Sequence, residues 1–255
     1  MILTDTHTHL YSEQFDPDRQ EVVERAMAEG IGRFFLPAID STYYKRMFAL
    51  KDAYPESIHL MAGLHPTHVK SDFKKELKIV EEMLDKGIFV AIGEIGIDLY
   101  WDKTLLKEQQ EAFRTQIGWA KSRGLPIVIH ARDSFKEIFD IMDEMQGEDL
   151  RGIFHCFTGT ENDARRIIGY GFKLGIGGVV TFKNGGIDKF LEKIDLKHLV
   201  LETDAPYLAP KPLRGKRNES SYLVYVVRKL AELYDLPETR IAEITTDNSK
   251  EVFGV

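Results

Sequence analysis

Residues 3–10 read Leu3-Thr4-Asp5-Thr6-His7-Thr8-His9-Leu10. The apolar run at the start of this stretch is too short for a helix and suits a buried strand. Because side chains alternate between the two faces of a strand, a strand that continues to His9 puts His7 and His9 on one face. Two imidazoles side by side at the end of a strand can hold one divalent metal ion. The stretch therefore predicts a strand that leads into a metal site.

Strand-like apolar runs and segments of helical periodicity alternate along the rest of the chain. The predicted strands are 2–6, 32–37, 58–63, 89–93, 126–130, 152–155, 173–176 and 198–202. The predicted helices are 16–30, 41–53, 73–86, 107–123, 134–145, 161–169 and 220–234, with a short turn near 187–194 and an extra terminal helix over 237–253. Eight such strand–helix units in 255 residues predict an α/β fold, a (β/α)8 TIM barrel that forms a single domain over 1–255.

An open, doubly wound sheet is the alternative fold. No G-x-G-x-x-G motif joins a strand to a helix in this chain, and residues 175–178 (Gly-Ile-Gly-Gly) do not match it. We therefore favour the closed barrel.

The composition is ordinary for a globular protein, with 43% hydrophobic and 29% charged residues. The single cysteine, Cys156, excludes an internal disulfide. We expect a cytoplasmic protein that does not enter a membrane, because the sequence has neither a long apolar run nor a basic leader followed by one. The net charge of −7 argues against non-specific coating of nucleic acid, but it permits nucleic acid held by metal ions and a local basic patch.

Six of the predicted strands carry a histidine or a carboxylate where they end. These residues are His7 and His9, His65, Glu94 and Asp98, His130, His155, and Glu202 and Asp204. In a TIM barrel the carboxyl ends of all strands meet at one mouth, which is where active sites form. The sequence therefore predicts one site built from distant parts of the chain.

The predicted site has more ligands than one tetrahedral ion can take. It suits two ions about 3.5–4 Å apart that share a bridging carboxylate. Glu94 is the best bridge, because the fourth strand lies between the first and the fifth. The first ion is assigned to His7, His9 and Asp204, and the second to His130 and His155. Nitrogen and oxygen donors without thiolate favour Zn²⁺, Mn²⁺ or Co²⁺ over Ca²⁺, and Mg²⁺ also stays open.

The motifs that surround these residues resemble the TatD family of metal-dependent deoxyribonucleases, within the amidohydrolase-like superfamily. The resemblance covers essentially the whole chain. It rests on the motifs at residues 5–9 (Asp-Thr-His-Thr-His), 63–66 (Gly-Leu-His-Pro), 91–98 (Ala-Ile-Gly-Glu-Ile-Gly-Ile-Asp), 126–132 (Pro-Ile-Val-Ile-His-Ala-Arg), 155–159 (His-Cys-Phe-Thr-Gly) and 201–208 (Leu-Glu-Thr-Asp-Ala-Pro-Tyr-Leu). Thr158 stands where many relatives carry Ser, a change that keeps the hydroxyl group.

The resemblance implies a hydrolase that cleaves phosphodiester bonds of DNA, as a 3'-5' exonuclease acting mainly on single strands or ends. It implies that the metal ligands are His7, His9, Glu94, His130, His155 and Asp204, which hold two divalent ions (Zn²⁺, Mg²⁺ or Mn²⁺). It also implies that His65 supports the scissile phosphate. Beside this, we expect Asp204 to hold a proton from the attacking water. Glu94, Asp204 and His65 are therefore the predicted catalytic residues, and we expect a monomer.

The predicted substrate contacts lie near the same mouth. The basic segment 211–218 follows the eighth strand, so Arg214 and Arg217 can reach flanking phosphates, as can Arg132. Tyr207 and Phe157 are candidates for stacking on a base. The Tyr100-Trp101-Asp102 segment forms a lid or packs against the outer helices, and the sequence leaves both options open.

Two other functions are compatible with the same residues. A lactonase or phosphotriesterase-like hydrolase of small molecules shares the His-x-His motif, but it often bridges its metals with a lysine where this chain has Glu94. A binding protein that keeps the metals for stability is the second alternative. The basic segment 211–218 suits a polyanion better than a neutral ester.

Overall fold

The computed structural model describes residues 2–255 and contains a sheet of eight parallel strands in chain order. The strands are β1 Leu3–Asp5, β2 Ile31–Pro37, β3 Ile58–Ala62, β4 Ala91–Asp98, β5 Ile127–Arg132, β6 Gly152–Phe154, β7 Lys173–Ile176 and β8 Leu199–Leu201. After β1 and β8 the chain closes the sheet, because Thr6 N–H donates to the Leu201 carbonyl (2.9 Å) and Thr8 pairs with Ala205 in a parallel bridge. The predicted TIM barrel is thereby confirmed.

Six of the α-helices lie between the strands, and the last two follow β8. The α-helices are α1 Arg19–Ala28, α2 Tyr44–Ala53, α3 Phe73–Leu84, α4 Leu106–Arg123, α5 Phe135–Met145, α6 Glu161–Gly169, α7 Leu223–Tyr234 and α8 Glu238–Phe253. Short 3-10 helices replace a full helix between β7 and β8, where the sequence predicted only a turn. None of the helices within residues 2–255 combines the length and the apolar character that a membrane crossing needs. The predicted domain 1–255 includes Met1, which lies outside the described residues, and its boundaries stay a prediction.

Several predicted boundaries differ from the structure by a few residues, and two of the differences have a clear cause. β4 does not end at Gly93 but continues to Asp98, because β5 runs on beside it to Arg132 and pairs with it as far as Asp98. Helix α1 begins at Arg19 rather than at Asp16, because Asp16 forms ion pairs with Arg19 and Arg46 instead of capping the helix. The first difference matters for function, since it puts Glu94 inside a buried strand.

Helix α8 closes the amino-terminal end of the barrel. Thr246 donates a hydrogen bond to the Ile2 carbonyl (3.1 Å), and the Asn248 side-chain amide donates to the Leu199 carbonyl (2.7 Å). The Phe253 ring stacks on Phe35 at 4.0 Å between centroids. These apolar residues belong to a core cluster with strand residues Met61, Ala91, Val128, Ile153 and Val200. One end of the barrel is therefore filled, and the carboxyl-terminal mouth is left for the site.

Candidate metal centre

The mouth of the barrel contains a cavity of about 680 Å³. Its lining residues come from loops and strand ends far apart in the sequence: His9, His65, Glu94, Asp98, His130, His155 and Asp204. His7 lies directly behind them and is completely buried. The structure therefore brings all six predicted metal ligands, and His65, into one place.

Glu94 lies at the centre of this group. Its Oε2 is 3.1 Å from His7 Nε2 and 3.7 Å from His9 Nε2. Its Oε1 is 2.6 Å from His155 Nε2, 2.8 Å from His130 Nδ1 and 3.2 Å from His65 Nε2. The two oxygens of one carboxylate thus face two different sets of imidazoles.

Asp204 completes the side of the cluster that contains His7 and His9. Its Oδ1 lies 3.4 Å from His9 Nε2 and 3.8 Å from His7 Nε2. Within residues 2–255, three groups of side chains have ligand atoms close enough to share an ion: His7, His9 and Glu94; His7, His155 and Asp204; and His65, Glu94 and His130. Glu94 takes part in two of them, as a bridging ligand would.

The charge of the cluster depends on burial and on these close contacts. Burial opposes the ionisation of Glu94, but the surrounding histidines outweigh it and hold the pKa of this carboxyl well below its usual range. Burial lowers the pKa of His7, which favours the neutral ring that metal binding requires. For His130 and His155 the neighbouring carboxylates outweigh burial and raise the pKa, which shows the strong pull of these carboxylates on a positive charge.

Contacts behind His9 decide which of its nitrogens is free. The Tyr11 hydroxyl donates to the Pro37 carbonyl (2.5 Å), so its oxygen is left to accept from His9 Nδ1–H at 2.6 Å. The proton is therefore on Nδ1, and the lone pair of Nε2 faces Glu94 and Asp204. This is the arrangement of a metal-binding histidine whose second nitrogen is held by an outer partner.

Two buried carboxylates lie behind the histidines of the other group. Asp98 Oδ2 lies 2.9 Å from His130 Nε2, which leaves Nδ1 to face Glu94. Glu202 Oε1 lies 3.5 Å from His155 Nδ1 and accepts the Cys156 backbone N–H, which leaves Nε2 of His155 to face Glu94. Gly175 is required here, because a Cβ on that residue would collide with the Glu202 carboxylate.

The donor set fits a divalent cation. Ring nitrogens of His9, His130 and His155 converge on the carboxylate oxygens of Glu94 and Asp204, and this arrangement favours positive charge between the atoms, from protons or from a metal ion. Imidazole nitrogens with carboxylate oxygens are a donor set typical of transition-metal ions. The predicted ligands therefore fit the group that the sequence implies.

His65 differs from the other histidines of the mouth. Its Nδ1 accepts the Thr67 backbone N–H (3.1 Å), so the neutral ring carries its proton on Nε2. Burial lowers the pKa of His65 to about 4, which keeps the ring neutral at neutral pH. His65 thus presents an N–H donor to the mouth, where His9 presents a lone pair.

Two of the five predicted substrate contacts line the cavity, namely Arg132 and Tyr207. The Arg214 guanidinium packs over the Phe182 ring at 4.0 Å, on the exposed loop after β8.

Phe157 and Arg217 are engaged elsewhere. Phe157 is only 2% exposed and packs against Phe135, so its ring offers no open face to a base. Arg217 forms a bidentate ion pair with Asp18 (2.6 and 2.8 Å) and also binds the Gln14 carbonyl. The structure gives no support to the substrate roles expected of these two residues.

The sequence predicted Asp98 and Glu202 at strand ends without a specific role and did not single out Tyr11. Each stands at an even spacing from a predicted ligand: Tyr11 two residues after His9, Asp98 four after Glu94, and Glu202 two before Asp204. In an extended chain this spacing puts both side chains on the same face. The spacing was therefore a usable signal for residues that support the ligands.

A TIM barrel with four histidines and two carboxylates converging in its mouth is the architecture of metal-dependent hydrolases. The family model described as TatD related DNase matches residues 4–254. The chain belongs to this family.

Individual relatives match over nearly their full length. The chain is 41% identical to the uncharacterized metal-dependent hydrolase YabD of Bacillus subtilis, over 100% of both chains. It is 31% identical to the 3'-5' ssDNA/RNA exonuclease TatD of Pectobacterium parmentieri, over 98% of both. Its fold superimposes on the crystal structure of YjjV, a TatD homolog from Escherichia coli K12, with a TM-score of 0.92 and 29% identity over 99% of this chain and 98% of that one.

Proposed function

We propose that this metal-dependent hydrolase cleaves phosphodiester bonds of single-stranded DNA from the 3' end, with two divalent ions. The observation that carries the proposal is the division of the Glu94 carboxylate, whose Oε2 faces His7 and His9 and whose Oε1 faces His130 and His155. The direction and the single-stranded substrate are supported by the name of the Pectobacterium relative. The monomeric state and the cytoplasmic location stay predictions.

In this proposal His7, His9 and Asp204 hold one ion, His130 and His155 hold the other, and Glu94 binds both. Bound divalent ions supply positive charge to the phosphodiester and lower the pKa of a water molecule. Residues of the chain, namely Asp204 and His65, would orient that water molecule and the phosphate.

Asp204 is the proposed proton acceptor. Its carboxylate reaches both the cavity and His9, and its pKa is lowered because the neighbouring histidines outweigh the effect of burial. An ionised carboxylate beside the attacking water can accept its proton.

His65 is the proposed donor to the phosphate. Its Nε2–H points into the mouth, because Nδ1 is occupied by the Thr67 N–H. A donor aimed at an oxygen on which negative charge develops lowers the reaction barrier.

The test is the incubation of metal-depleted protein with end-labelled single-stranded DNA across a series of Zn²⁺, Mn²⁺, Mg²⁺ and Co²⁺. We expect a ladder that shortens from the 3' end with at least one ion and no products in chelator. His65→Ala should lower kcat about 10²- to 10³-fold, the usual cost of one such donor, whereas His198→Ala, at the opposite end of the barrel, should not. The proposal fails if no metal supports cleavage of DNA, or if only small neutral esters are hydrolysed.

A further inference from the structure

We propose that Trp101 is a stacking site for an unpaired nucleobase at the edge of the mouth. The inference rests on the proposed nucleic-acid substrate and adds to it the group that selects single strands. It is carried by an aromatic cluster that the metal chemistry does not use: Tyr100, Trp101 and the guanidinium of Arg132.

The first observation is that large aromatic side chains beside the mouth are exposed to solvent. Trp101 is 68% exposed and Tyr100 is 53% exposed. Within residues 2–255, seven large hydrophobic residues are exposed, and Tyr100, Trp101, Tyr207 and Leu208 among them belong to the loops after β4 and β8. A concentration of exposed aromatic side chains beside a cavity is typical of a binding surface. This exposure excludes the alternative that Trp101 packs against the outer helices.

The second observation is that the cluster is held in place. Asp98 Oδ1 accepts the backbone N–H groups of Tyr100 (3.0 Å) and Trp101 (3.1 Å). Gln109 donates from α4 to the carbonyls of Asp98 and Asp102. The loop therefore presents its rings from a hydrogen-bonded turn, which reduces the entropy lost when a ligand binds.

The third observation concerns the rings themselves. The Arg132 guanidinium lies 3.8 Å from the Tyr100 ring centroid and 5.4 Å from that of Trp101. The Tyr100 and Trp101 rings meet edge to face at 4.9 Å. Tyr100 is thus covered on one side by a cation, while the larger and more exposed indole is available to a planar partner. Arg132 adds positive charge where a strand would bring a phosphate.

The cluster is coupled to the metal centre through one carboxylate. Asp98 binds the Trp101 N–H with Oδ1, and its Oδ2 lies 2.9 Å from His130 Nε2. Trp101 also lines the same cavity as Glu94 and Asp204. A base stacked on Trp101 therefore belongs to the nucleotide whose phosphate lies at the centre or to its neighbour.

We expect an unpaired base on Trp101, because a base-paired one has no free face for the indole ring. Bases within a duplex already stack on one another, whereas a base in a single strand can stack on an aromatic side chain. Such stacking contributes about 1–3 kcal/mol per base and tolerates any sequence. The site thus selects single strands and does not select a base.

The experiment uses the metal-loaded protein and phosphorothioate octanucleotides, which resist hydrolysis. The chain has two tryptophans, so Trp119→Phe leaves Trp101 as the only indole fluorophore. We expect saturable quenching by a strand with bases, and little quenching by an abasic strand of the same length or by a blunt duplex.

Trp101→Ala, made in the unaltered background, should raise the Kd for the strand with bases about tenfold or more and leave the Kd for the abasic strand unchanged. Trp101→Phe should recover part of the affinity. Ile88→Ala removes another exposed apolar side chain, away from the mouth, and should change neither Kd.

The outcomes separate this inference from the proposed function. Equal Kd values for the unaltered protein and Trp101→Ala overturn the stacking site, even where DNA is cleaved. An equal loss of affinity for both strands also overturns it, because a contact to the phosphates would then explain the loss. Base-dependent binding at Trp101 without hydrolysis supports the site and contradicts the proposed reaction. If the protein binds neither strand, both proposals are wrong.

Discussion

The two ends of the barrel are built from the same eight strands and differ completely in what fills them. At the amino-terminal end, α8 covers the strands and Phe253 stacks on Phe35. At the carboxyl-terminal end, Glu94 and Asp98 are buried to 2% and 1% exposure with histidine partners. The amino-terminal end buries apolar side chains, whereas the carboxyl-terminal end buries charged groups.

The difference shows how a charge is tolerated in the interior of this protein. Burying an isolated carboxylate is costly, and the cost is offset only by opposite charge and hydrogen bonds. Glu94 has five imidazole nitrogens within 3.7 Å. We infer that the closed end stabilises the fold and that the open end uses part of that stability for function.

The largest effect is expected at Glu94. Glu94→Gln removes the negative charge that two groups of ligands share, so the proposed nuclease activity should fall by about 10³-fold, the upper range for loss of one electrostatic contact. Added metal should also raise the melting temperature of this variant less than that of the unaltered protein. Activity assays and thermal unfolding with and without metal measure both.

The matched control is Glu251→Gln at the closed end, where Glu251 pairs with Lys173. Its activity and its metal response should match those of the unaltered protein. Full activity of Glu94→Gln would contradict the bridging role.

The second effect lies at the closed end. Phe253→Ala removes a buried ring and should lower the free energy of unfolding by about 3–5 kcal/mol. The kcat of the folded fraction should stay unchanged, because Phe253 lies far from the mouth. Urea unfolding with an activity assay measures the two quantities. Val255→Ala, at an exposed residue nearby, is the control, and a large fall in kcat for Phe253→Ala would show that the two ends are not separable.

The third effect is on metal affinity. Asp98→Asn weakens the partner that holds His130 Nε2, so metal affinity should fall about 10- to 100-fold, the usual result for such outer partners. Calorimetric metal titration measures this directly. Asp102→Asn, in the loop that follows Asp98 and bonded to Thr104, should leave the affinity unchanged. Unchanged affinity in Asp98→Asn would remove the orienting role.

The smallest effect concerns Asp40, at the rim of the mouth. Burial opposes its ionisation, but hydrogen bonds from His68 and Thr42 outweigh burial and lower the pKa of Asp40 from 3.8 to about 2. The ionised form therefore stabilises the fold above pH 4, and this contribution is lost as the pH falls toward 2.

Asp40→Asn should accordingly lower the free energy of unfolding by up to about 2 kcal/mol at pH 7, and by little at pH 2. Urea unfolding at both pH values measures the difference. The exposed Asp52→Asn substitution is the control. A loss of the same size at pH 2 would show that the effect does not come from the charge.

The sequence predicted the barrel and the positions of its ligands, because both follow from local patterns. The alternation of strands and helices showed that His7, His130 and His155 lie at the carboxyl ends of strands. In a barrel the carboxyl ends of all strands meet at one mouth. The alternation could not predict that β4 continues through Glu94 to Asp98, because that extension depends on pairing with β5.

The sequence by itself determined which residues can bind metal, since donor atoms belong to residue types and the strand period sets their common face. Only the tertiary structure decided what each histidine does there. His9 offers the lone pair of Nε2 to the mouth because its Nδ1–H donates to the Tyr11 hydroxyl. His65 offers an Nε2–H because its Nδ1 accepts the Thr67 backbone N–H. The physical reason is that the hydrogen-bond partner of one ring nitrogen decides which of the two nitrogens carries the proton. That partner is chosen by local turn geometry at His65 and, at His130, by a contact between the neighbouring strands β4 and β5.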